Sequence, residues 1–306
     1  MKIAVLGAGA MGMLFGGYLS QKNEVYLVEV NEDRVKFIRE NGVRIREKDG
    51  TEGRYFPNAV SKTDDLGPMD LVIVFVKAMF TVDALSNNRS LIGPDTYIMT
   101  LQNGAGHEAK LMQFTDERHV VIGSTQHNSS VIENGHVNHG GAGKSSIGLP
   151  GGGSEVLQPI ADTLTACGFE CVTSNEVKKQ IWTKLFTNTA ASSLTAVLQV
   201  PLGYIYSDPA AHELMIKLCK EAVAVANAEG FAKFDEAEVI AGVETVCKNA
   251  PNGYTSIYAD VRDGRRTEVD TISGSVVEAA RGLNIPVPVH ETIVSLIHAL
   301  ERRPRG

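Results

Sequence analysis

The fold is decided near the start of the chain by residues 2–12, Lys-Ile-Ala-Val-Leu-Gly-Ala-Gly-Ala-Met-Gly. The first half of this stretch is an apolar run typical of a buried β-strand, and the second half has the spacing G-x-G-x-x-G. Gly7 permits a tight turn, Gly9 lets a ligand approach the backbone, and Gly12 allows close packing of helix on strand. The stretch therefore predicts a strand, a glycine turn and a helix that begins with free amide groups.

Free N–H groups at the start of such a helix bind the pyrophosphate of a dinucleotide. The next apolar run, Val25–Val28, ends at Glu29, where an acidic side chain can accept hydrogen bonds from the adenosine ribose. A carboxylate there repels a 2′-phosphate and Val30 carries no charge, so NADH is favoured over NADPH, although Arg34 lies near enough to offset this preference. The residues predicted to contact the dinucleotide here are Gly7, Ala8, Gly9, Ala10, Met11, Gly12 and Glu29.

Two differently patterned regions follow one another along the chain. Residues 1–174 alternate short apolar runs with helical stretches, which is the pattern of parallel β-α-β units, and Asn134-Gly135 predicts a hairpin turn. The predicted strands are Ile3–Leu6, Val25–Val28, Leu71–Val76, Tyr97–Leu101, Val120–Gly123, Ser129–Ile132, His136–His139 and Phe169–Thr173. Helical periodicity dominates residues 175–306. The predicted helices are Val177–Leu198, His212–Glu229, Asp235–Cys247, Tyr254–Val261, Thr267–Arg281 and His290–Arg302. The sequence predicts an α/β fold, with a Rossmann dinucleotide-binding domain over 1–174 and an all-α substrate domain over 175–306.

Composition narrows the class of protein further. The chain has 306 residues, which fits two domains, and its net charge of −7 argues against a nucleic-acid or anionic-membrane surface. The longest apolar run, Leu71–Val76, is too short to cross a bilayer, and the four cysteines have neither disulfide nor zinc spacing. His127, His136 and His139 on the predicted hairpin have no paired carboxylate or cysteine in the pattern, so we expect no metal. We expect a cytoplasmic protein with a small-molecule partner, and a homodimer remains open.

A second constellation lies in the predicted helix Val177–Leu198. Lys184, Asn188 and Ser192 recur at i, i+4 and i+8, which places a cation, an amide and a hydroxyl on one helix face. A solvated helix face is the alternative interpretation of this pattern. Reduction of a 2-oxo acid needs a cation or acid at the oxygen where negative charge develops, and a lysine supplies both.

With these residues in view, the chain resembles the ketopantoate reductase (2-dehydropantoate 2-reductase) family along its whole length. The matching motifs are Gly7 to Gly12, Val76-Lys77-Ala78, Gln102-Asn103-Gly104-Ala105-Gly106, Trp182-Thr183-Lys184-Leu185 with Asn188, Ser256, and Thr267-Glu268-Val269-Asp270. The resemblance implies a two-domain reductase that uses NADPH by default. It also implies that Lys184 is catalytic, that Glu268 completes the catalytic site, and that Lys77 lies near the cofactor. Asn103 would border nicotinamide and substrate, while Asn188 and Ser256 would bind the substrate.

Local sequence offers another interpretation of Glu268. Thr267 is a plausible N-cap, and Asp270 three residues later completes a pattern like a capping box. Glu268 would then be a first-turn carboxylate that interacts with the helix dipole. The family resemblance instead favours a catalytic or substrate-orienting role.

Two departures from the family bear on substrate and cofactor. Ser192 stands where the family has a second asparagine, and Val30 stands where NADPH-using members carry a basic residue. The leading hypothesis is reduction of 2-dehydropantoate to pantoate, with Lys184 as general acid and Ser192 among the substrate ligands. One alternative is an NADH-dependent D-2-hydroxy-acid dehydrogenase for other branched or aromatic 2-oxo acids. A second is a dinucleotide-binding redox sensor without turnover.

Overall fold

The structure is a computed structural model that describes residues 1–303. These residues form two compact units, each with its own apolar core. The α/β unit contains Met1–Gln102 and His107–Val177, and the helical unit contains Asn103–Gly106 and the chain from Lys178 onward. The short loop Asn103–Gly106 thus belongs to the helical unit, although it lies far upstream of the other residues of that unit.

The strands of the α/β unit build two sheets. In chain order they are β1 (Lys2–Leu6), β2 (Glu24–Val28), β3 (Val43–Arg46), β4 (Glu52–Tyr55), β5 (Asn58–Val60), β6 (Leu71–Val74), β7 (Tyr97–Thr100), β8 (Val120–Thr125), β9 (Asn128–Glu133), β10 (His136–Gly141), β11 (Ser145–Gly148) and β12 (Cys171–Thr173). The larger sheet has the order β12-β11-β8-β7-β6-β1-β2-β5, and the smaller has the order β4-β3-β10-β9.

The larger sheet has Rossmann topology. Its strands are parallel from β5 to β8, and β11 runs antiparallel to β8. The chain proceeds outward from β1 through β2 to β5, then returns to β6 on the other side of β1. This reversal creates the switch point beside which dinucleotides bind, at the carboxyl ends of the strands. The predicted α/β class is therefore confirmed.

The smaller sheet contains the predicted hairpin. Strands β9 and β10 pair antiparallel around Asn134-Gly135, and Gly135 has φ +65°, a left-handed conformation that suits glycine. The sequence did not predict β3, β4, β5 and β11. They are short, and β4 reads Glu-Gly-Arg-Tyr, so its strand conformation comes from pairing with β3 rather than from an apolar pattern.

The helices of the α/β unit are α1 (Ala10–Leu19), α2 (Glu32–Asn41), α3 (Thr81–Asn87), α4 (His107–Leu111) and α5 (Gln158–Ala166). Helix α1 is buried along most of its length, and Phe15 stacks on Phe169 at a centroid distance of 3.9 Å. A Cβ at Gly16 would lie 2.6 Å from the Leu27 side chain. The glycines of α1 therefore let this helix pack closely on the sheet.

The helical unit continues with α6 (Val177–Thr187), α7 (Ser193–Leu198), α8 (Leu202–Ser207), α9 (Pro209–Ala228), α10 (Glu236–Asn249), α11 (Ser256–Asp263), α12 (Ser273–Leu283) and α13 (Pro288–Glu301). A π-helical segment, Asn188–Ser192, joins α6 to α7. The predicted single helix Val177–Leu198 is therefore continuous in direction but contains a wider turn. Within residues 1–303, no helix combines the length and apolarity needed to cross a bilayer.

Two predicted helix boundaries are wrong. The prediction started a helix at Thr267, but residues 267–272 form turns and α12 begins at Ser273. The prediction ended this helix at Arg281, but α12 continues through Gly282 to Leu283, and its C-cap is Asn284 with φ +56° and ψ +38°. Asn284 can adopt this left-handed conformation because its short polar side chain tolerates it.

Candidate active site

The three glycines of the turn between β1 and α1 have different surroundings. Gly7 has φ +98°, and its N–H donates to the Val28 carbonyl oxygen at 2.8 Å, which ties the turn to β2. A Cβ at Gly12 would lie 1.8 Å from the Gly7 carbonyl oxygen, so only glycine fits there. A Cβ at Gly9 would meet no protein atom within 4 Å. The requirement for glycine at position 9 therefore does not come from packing within the protein.

The start of α1 suits a diphosphate. Gly9 is the N-cap of this ten-residue helix, and no side chain caps its first turn. The first-turn amide groups have no partners within the helix, so they are available to an anion. The residues present at this turn thus fit the pyrophosphate of the dinucleotide that the motif predicts.

Glu29 follows β2 and is largely buried, with 9% of its surface exposed. Its carboxylate accepts the Asn31 N–H at 3.0 Å and Arg34 Nη1 at 3.1 Å. Val30 beside it is 90% exposed. The Glu29 carboxylate would repel a 2′-phosphate, and Arg34 was expected to offset that repulsion. In the structure Arg34 is paired with this same carboxylate.

Lys77 and Gln102 follow the neighbouring strands β6 and β7. The Gln102 side-chain amide donates to the Val76 carbonyl oxygen, and Thr100 donates to Gln102 Oε1 at 2.8 Å. These bonds hold the carboxyl ends of the two strands together, which is the edge where ligands bind in such sheets. Lys77 lies at this edge and is partly buried.

The loop that carries Asn103 packs within the helical unit. Gly104 has φ +106°, and a Cβ there would lie 1.9 Å from the Thr271 carbonyl oxygen. Ala105 N–H donates to that oxygen at 3.2 Å, and the Thr271 N–H donates in turn to the Glu268 carbonyl oxygen at 3.1 Å. The structure thereby brings together the segments of Asn103 and Glu268, which lie far apart in sequence.

Lys184 and Glu268 interact electrostatically. Burial lowers the pKa of the Lys184 ammonium below its ordinary value, and the negative charge of Glu268 opposes this shift without cancelling it. A lysine in this state releases its proton more readily than an exposed lysine does. The arrangement can therefore place a positive charge and a transferable proton at one point.

The capping interpretation of Glu268 is wrong. Thr267 donates through both its N–H and its hydroxyl to Glu301 Oε1 at 2.7 Å, so it is held by α13. Its hydroxyl accepts the Val269 N–H at 3.2 Å within a turn, but α12 begins only at Ser273. His298 contacts Glu301 at 3.0 Å and Asp270 at 3.0 Å, which fixes the other side of the turn. Glu268 is therefore presented by a braced turn, not by the first turn of α12.

The π-helical segment carries Asn188 and leads to Ser192, which is 7% exposed. In an α-helix each step of four residues overshoots one full turn by about 40°. A π turn has more residues per turn, so it reduces the angle around the helix axis between the side chains of Lys184 and Ser192. Thr195 donates to the Ser192 carbonyl oxygen at 2.7 Å and contacts the Thr255 hydroxyl at 2.9 Å.

Ser256 is the first residue of α11 and is exposed. Thr255, its neighbour, caps α11 by accepting the Tyr258 N–H at 3.2 Å. Because Thr255 also contacts Thr195, the start of α11 is tied to α7, the helix that follows the π-helical segment. The described structure thus groups Lys184, Glu268 and the Asn103 loop, and separately ties the Ser192 segment to that of Ser256.

Sequence reasoning missed a set of polar residues around the π-helical segment, four of them fully buried and one, Glu221, partly buried. They are Thr189, Ser193, Glu221, Ser273 and His290. Each lies on a different turn or helix, so no local spacing marks them as a group. The presence of a histidine and several hydroxyls at otherwise apolar helix positions was the one available signal.

The hairpin histidines have carboxylate partners that their sequence neighbourhood did not indicate. His139 Nδ1 lies 2.8 Å from Glu47 Oε2, and His127 Nδ1 lies 3.0 Å from His139 Nε2. His136 lies 3.3 Å from Glu52. In residues 1–303, no group of three or more His, Cys, Asp or Glu side chains is arranged to hold a metal ion.

Comparisons with known proteins extend over nearly the whole chain. The model of the ketopantoate reductase PanE/ApbA family matches residues 3–152, and the model of its C-terminal domain matches residues 176–301. The 2-dehydropantoate 2-reductase of Halobacterium salinarum is 30% identical over 305 residues, which cover 99% of each chain.

Solved structures agree in fold. A D-mandelate dehydrogenase in a ternary structure with NADH and anilino(oxo)acetate has a TM-score of 0.91 and 30% identity, with 98% of each chain covered. A PanE/ApbA family ketopantoate reductase from Ralstonia eutropha JMP134 has a TM-score of 0.89 and 27% identity, also with 98% of each chain covered. On the sequence match of both domains, this chain belongs to the ketopantoate reductase family.

Proposed function

We propose that this protein reduces a 2-oxo acid to a 2-hydroxy acid with a reduced nicotinamide dinucleotide, and that 2-dehydropantoate is its first candidate substrate. The observation that carries the proposal is the partly buried Lys184 ammonium, whose pKa is lowered by burial and supported by the charge of Glu268. The 2-dehydropantoate 2-reductases among its relatives support the choice of substrate. Membership of the family supports an oxidoreductase acting on a 2-oxo acid.

The proposed chemistry needs few groups. The reduced nicotinamide, when bound, supplies the hydride. Lys184 polarises the 2-oxo group and donates its proton to that oxygen as negative charge develops. Solvent then returns a proton to the neutral lysine. Glu268 keeps the Lys184 pKa from falling further, so the ammonium is available for this step.

Other residues would bind and orient. Asn188, Ser192 and Ser256 are proposed to hold the substrate, and Asn103 to border both substrate and nicotinamide. The glycine turn from Gly7 to Gly12 would hold the pyrophosphate through backbone amides, with Glu29 at the ribose and Lys77 at the strand edge beside it.

We further propose that NADH is preferred over NADPH. Glu29 presents a carboxylate at the end of β2, and it already holds the nearby Arg34 at 3.1 Å. Val30 offers no charge for a 2′-phosphate. The bound NADH in the D-mandelate dehydrogenase structure is consistent with this preference.

A specific observation favours a second candidate function. Ser192 is buried and shorter than the asparagine expected there, so it leaves more room and fewer hydrogen bonds for the distal hydroxyl of the substrate. This arrangement suits an NADH-dependent D-2-hydroxy-acid dehydrogenase for branched or aromatic 2-oxo acids. The similarity to a D-mandelate dehydrogenase supports this candidate.

We place the reaction in the cytoplasm, because the four cysteines are buried free thiols.

The deciding experiment measures kcat/KM for 2-dehydropantoate, 2-oxoisovalerate and phenylglyoxylate, each with NADH and NADPH. Highest kcat/KM with 2-dehydropantoate supports the leading proposal, and highest with phenylglyoxylate supports the second. Ser192→Asn is the matched variant and should favour 2-dehydropantoate. Tight binding of NADH with no turnover of any oxo acid would replace both with the redox-sensor hypothesis.

A further inference from the structure

A chain of buried hydroxyl groups adjoins the π-helical segment Asn188–Ser192. Ser193 Oγ donates to the Asn188 carbonyl oxygen at 3.3 Å, and the Ser193 backbone N–H bonds to the same oxygen. Ser273 Oγ lies 2.8 Å from Ser193 Oγ, and Thr189 Oγ1 donates to Ser273 Oγ at 3.0 Å. These three hydroxyl-bearing residues are fully buried.

The chain ends at a His–Glu pair in which His290 is fully buried and Glu221 is partly buried. His290 Nε2 lies 2.9 Å from Thr189 Oγ1, and its Nδ1 lies 2.7 Å from Glu221 Oε2. The Glu221 carboxylate also accepts the backbone N–H groups of Val289 and His290, each at 3.0 Å. Burial raises the pKa of Glu221, but these hydrogen bonds outweigh it and hold the pKa below its usual value. The carboxylate thus makes three hydrogen bonds and anchors the His290 end of the chain.

The hydrogen bonds are continuous along this chain. Thr189 donates to Ser273 at 3.0 Å, and its oxygen also lies 2.9 Å from His290 Nε2, so this hydroxyl joins the serines to the histidine. The linked residues, called the buried relay below, are Glu221, His290, Thr189, Ser273 and Ser193.

We propose that the buried relay positions Asn188 and Ser192 for the 2-oxo acid substrate, an inference that rests on the proposed function. A π turn is uncommon and persists where its surroundings fix it. Here α9, α12 and α13 each supply one member of the relay, so three helices hold the turn. An apolar core would fill the same space without fixing the direction of the Asn188 carbonyl. The members of the relay are positioning residues, since they act through the backbone of the π turn.

The test compares Thr189→Val with Thr189→Ser and with a matched control. Thr96→Val is the control, because Thr96 is 1% exposed and donates to the Met69 carbonyl oxygen at 2.6 Å within the α/β unit. Both valine variants lose a buried hydrogen bond and should unfold at lower temperature. Thr189→Val should also lower kcat/KM for the oxo acid about tenfold, with an unchanged Kd for NADH. Thr189→Ser keeps the hydroxyl and should stay within about threefold of wild type.

Amide hydrogen exchange measures how firmly the buried relay holds the π-helical segment, and it does not depend on enzyme activity. Thr189→Val and Ser273→Ala should both speed exchange over residues 188–193, while Thr96→Val should not. Wild-type exchange rates in both relay variants would overturn the relay. Faster exchange with unchanged kcat/KM would overturn its positioning role. A wild-type protein that turns over no 2-oxo acid is a different result, because it removes the proposed function before any variant is compared.

Discussion

The glycine turn after β1 and the region around Lys184 on α6 differ in whether backbone or side chains form the proposed site. In the turn, the backbone itself forms the proposed binding surface, and Gly7 and Gly12 are required because neighbouring backbone atoms leave no room for a side chain. Around Lys184, side chains from distant parts of the chain would provide the proposed chemistry, and Glu268 acts on the lysine electrostatically from a turn held by α13.

This difference predicts which property of the protein a substitution should change in each region. A backbone site fails when a new side chain occupies space, so its defects are steric and local. A side-chain site fails when charge or orientation is lost, and its defects appear in turnover. The following experiments test whether the two regions separate in this way.

The largest effect is expected at Lys184. Lys184→Ala removes the proposed proton donor and should lower kcat by about 10²-fold or more, while the Kd for NADH stays unchanged. Steady-state kinetics and calorimetric titration measure the two quantities. Lys217→Ala is the matched control, since Lys217 lies on α9 and pairs with Glu213 at the surface. Near-wild-type turnover of Lys184→Ala would remove this residue from the mechanism.

Two glycines of the same turn should fail in different ways. Gly9→Ala has room within the protein, so it should fold normally but bind NADH about tenfold more weakly or worse, because its methyl holds the pyrophosphate away. Gly12→Ala would clash with the Gly7 carbonyl oxygen and should lower the melting temperature by several degrees or more, roughly in line with severe steric substitutions.

Gly242→Ala on α10 is the control for both glycine variants, because its Cβ would also meet nothing within 4 Å. It should leave NADH affinity unchanged and stability equal or slightly higher. If Gly9→Ala binds NADH as tightly as wild type, the turn does not hold the pyrophosphate.

Cofactor preference depends on a side chain within the otherwise backbone-built site. A carboxylate that meets a 2′-phosphate costs on the order of 1–3 kcal/mol, so Glu29→Ala should shift the ratio of kcat/KM values toward NADPH by about tenfold. The substitution also frees Arg34, so Glu29→Ala/Arg34→Ala should lose part of that gain. A wild type that favours NADPH tenfold, together with an unchanged ratio in Glu29→Ala, would show that the carboxylate points elsewhere.

The smallest effect is a shift in pH dependence. Glu268 raises the Lys184 pKa against the lowering effect of burial, so Glu268→Gln should lower this pKa further. Reduction needs the protonated lysine, and activity falls as pH rises through its pKa. The alkaline limb of the kcat profile should therefore move to lower pH in Glu268→Gln. Glu278→Gln on α12 serves as the control, and a limb that moves to higher pH would contradict the electrostatic coupling.

Much of the α/β unit could be predicted from local patterns. The apolar run of β1, the glycine spacing and the Asn134-Gly135 hairpin were all confirmed. The short strands β4 and β5 could not be predicted, because pairing with a neighbour stabilises them and their own residues carry little apolar pattern. The helix expected from Thr267 was wrong because α12 begins only at Ser273, while Glu301 of α13 holds Thr267 from a distant part of the chain.

The sequence by itself determined the glycine turn and the Rossmann class, because these depend on residues that are near one another along the chain, and it determined the family through short motifs that recur in order along its whole length. Only the tertiary structure decided which buried polar groups surround the lysine helix. Thr189 and His290 are 101 positions apart, yet their side chains lie 2.9 Å from each other. Hydrogen bonds of this kind depend on distance in space and on the exclusion of water, and the spacing of residues along the sequence predicts neither of them.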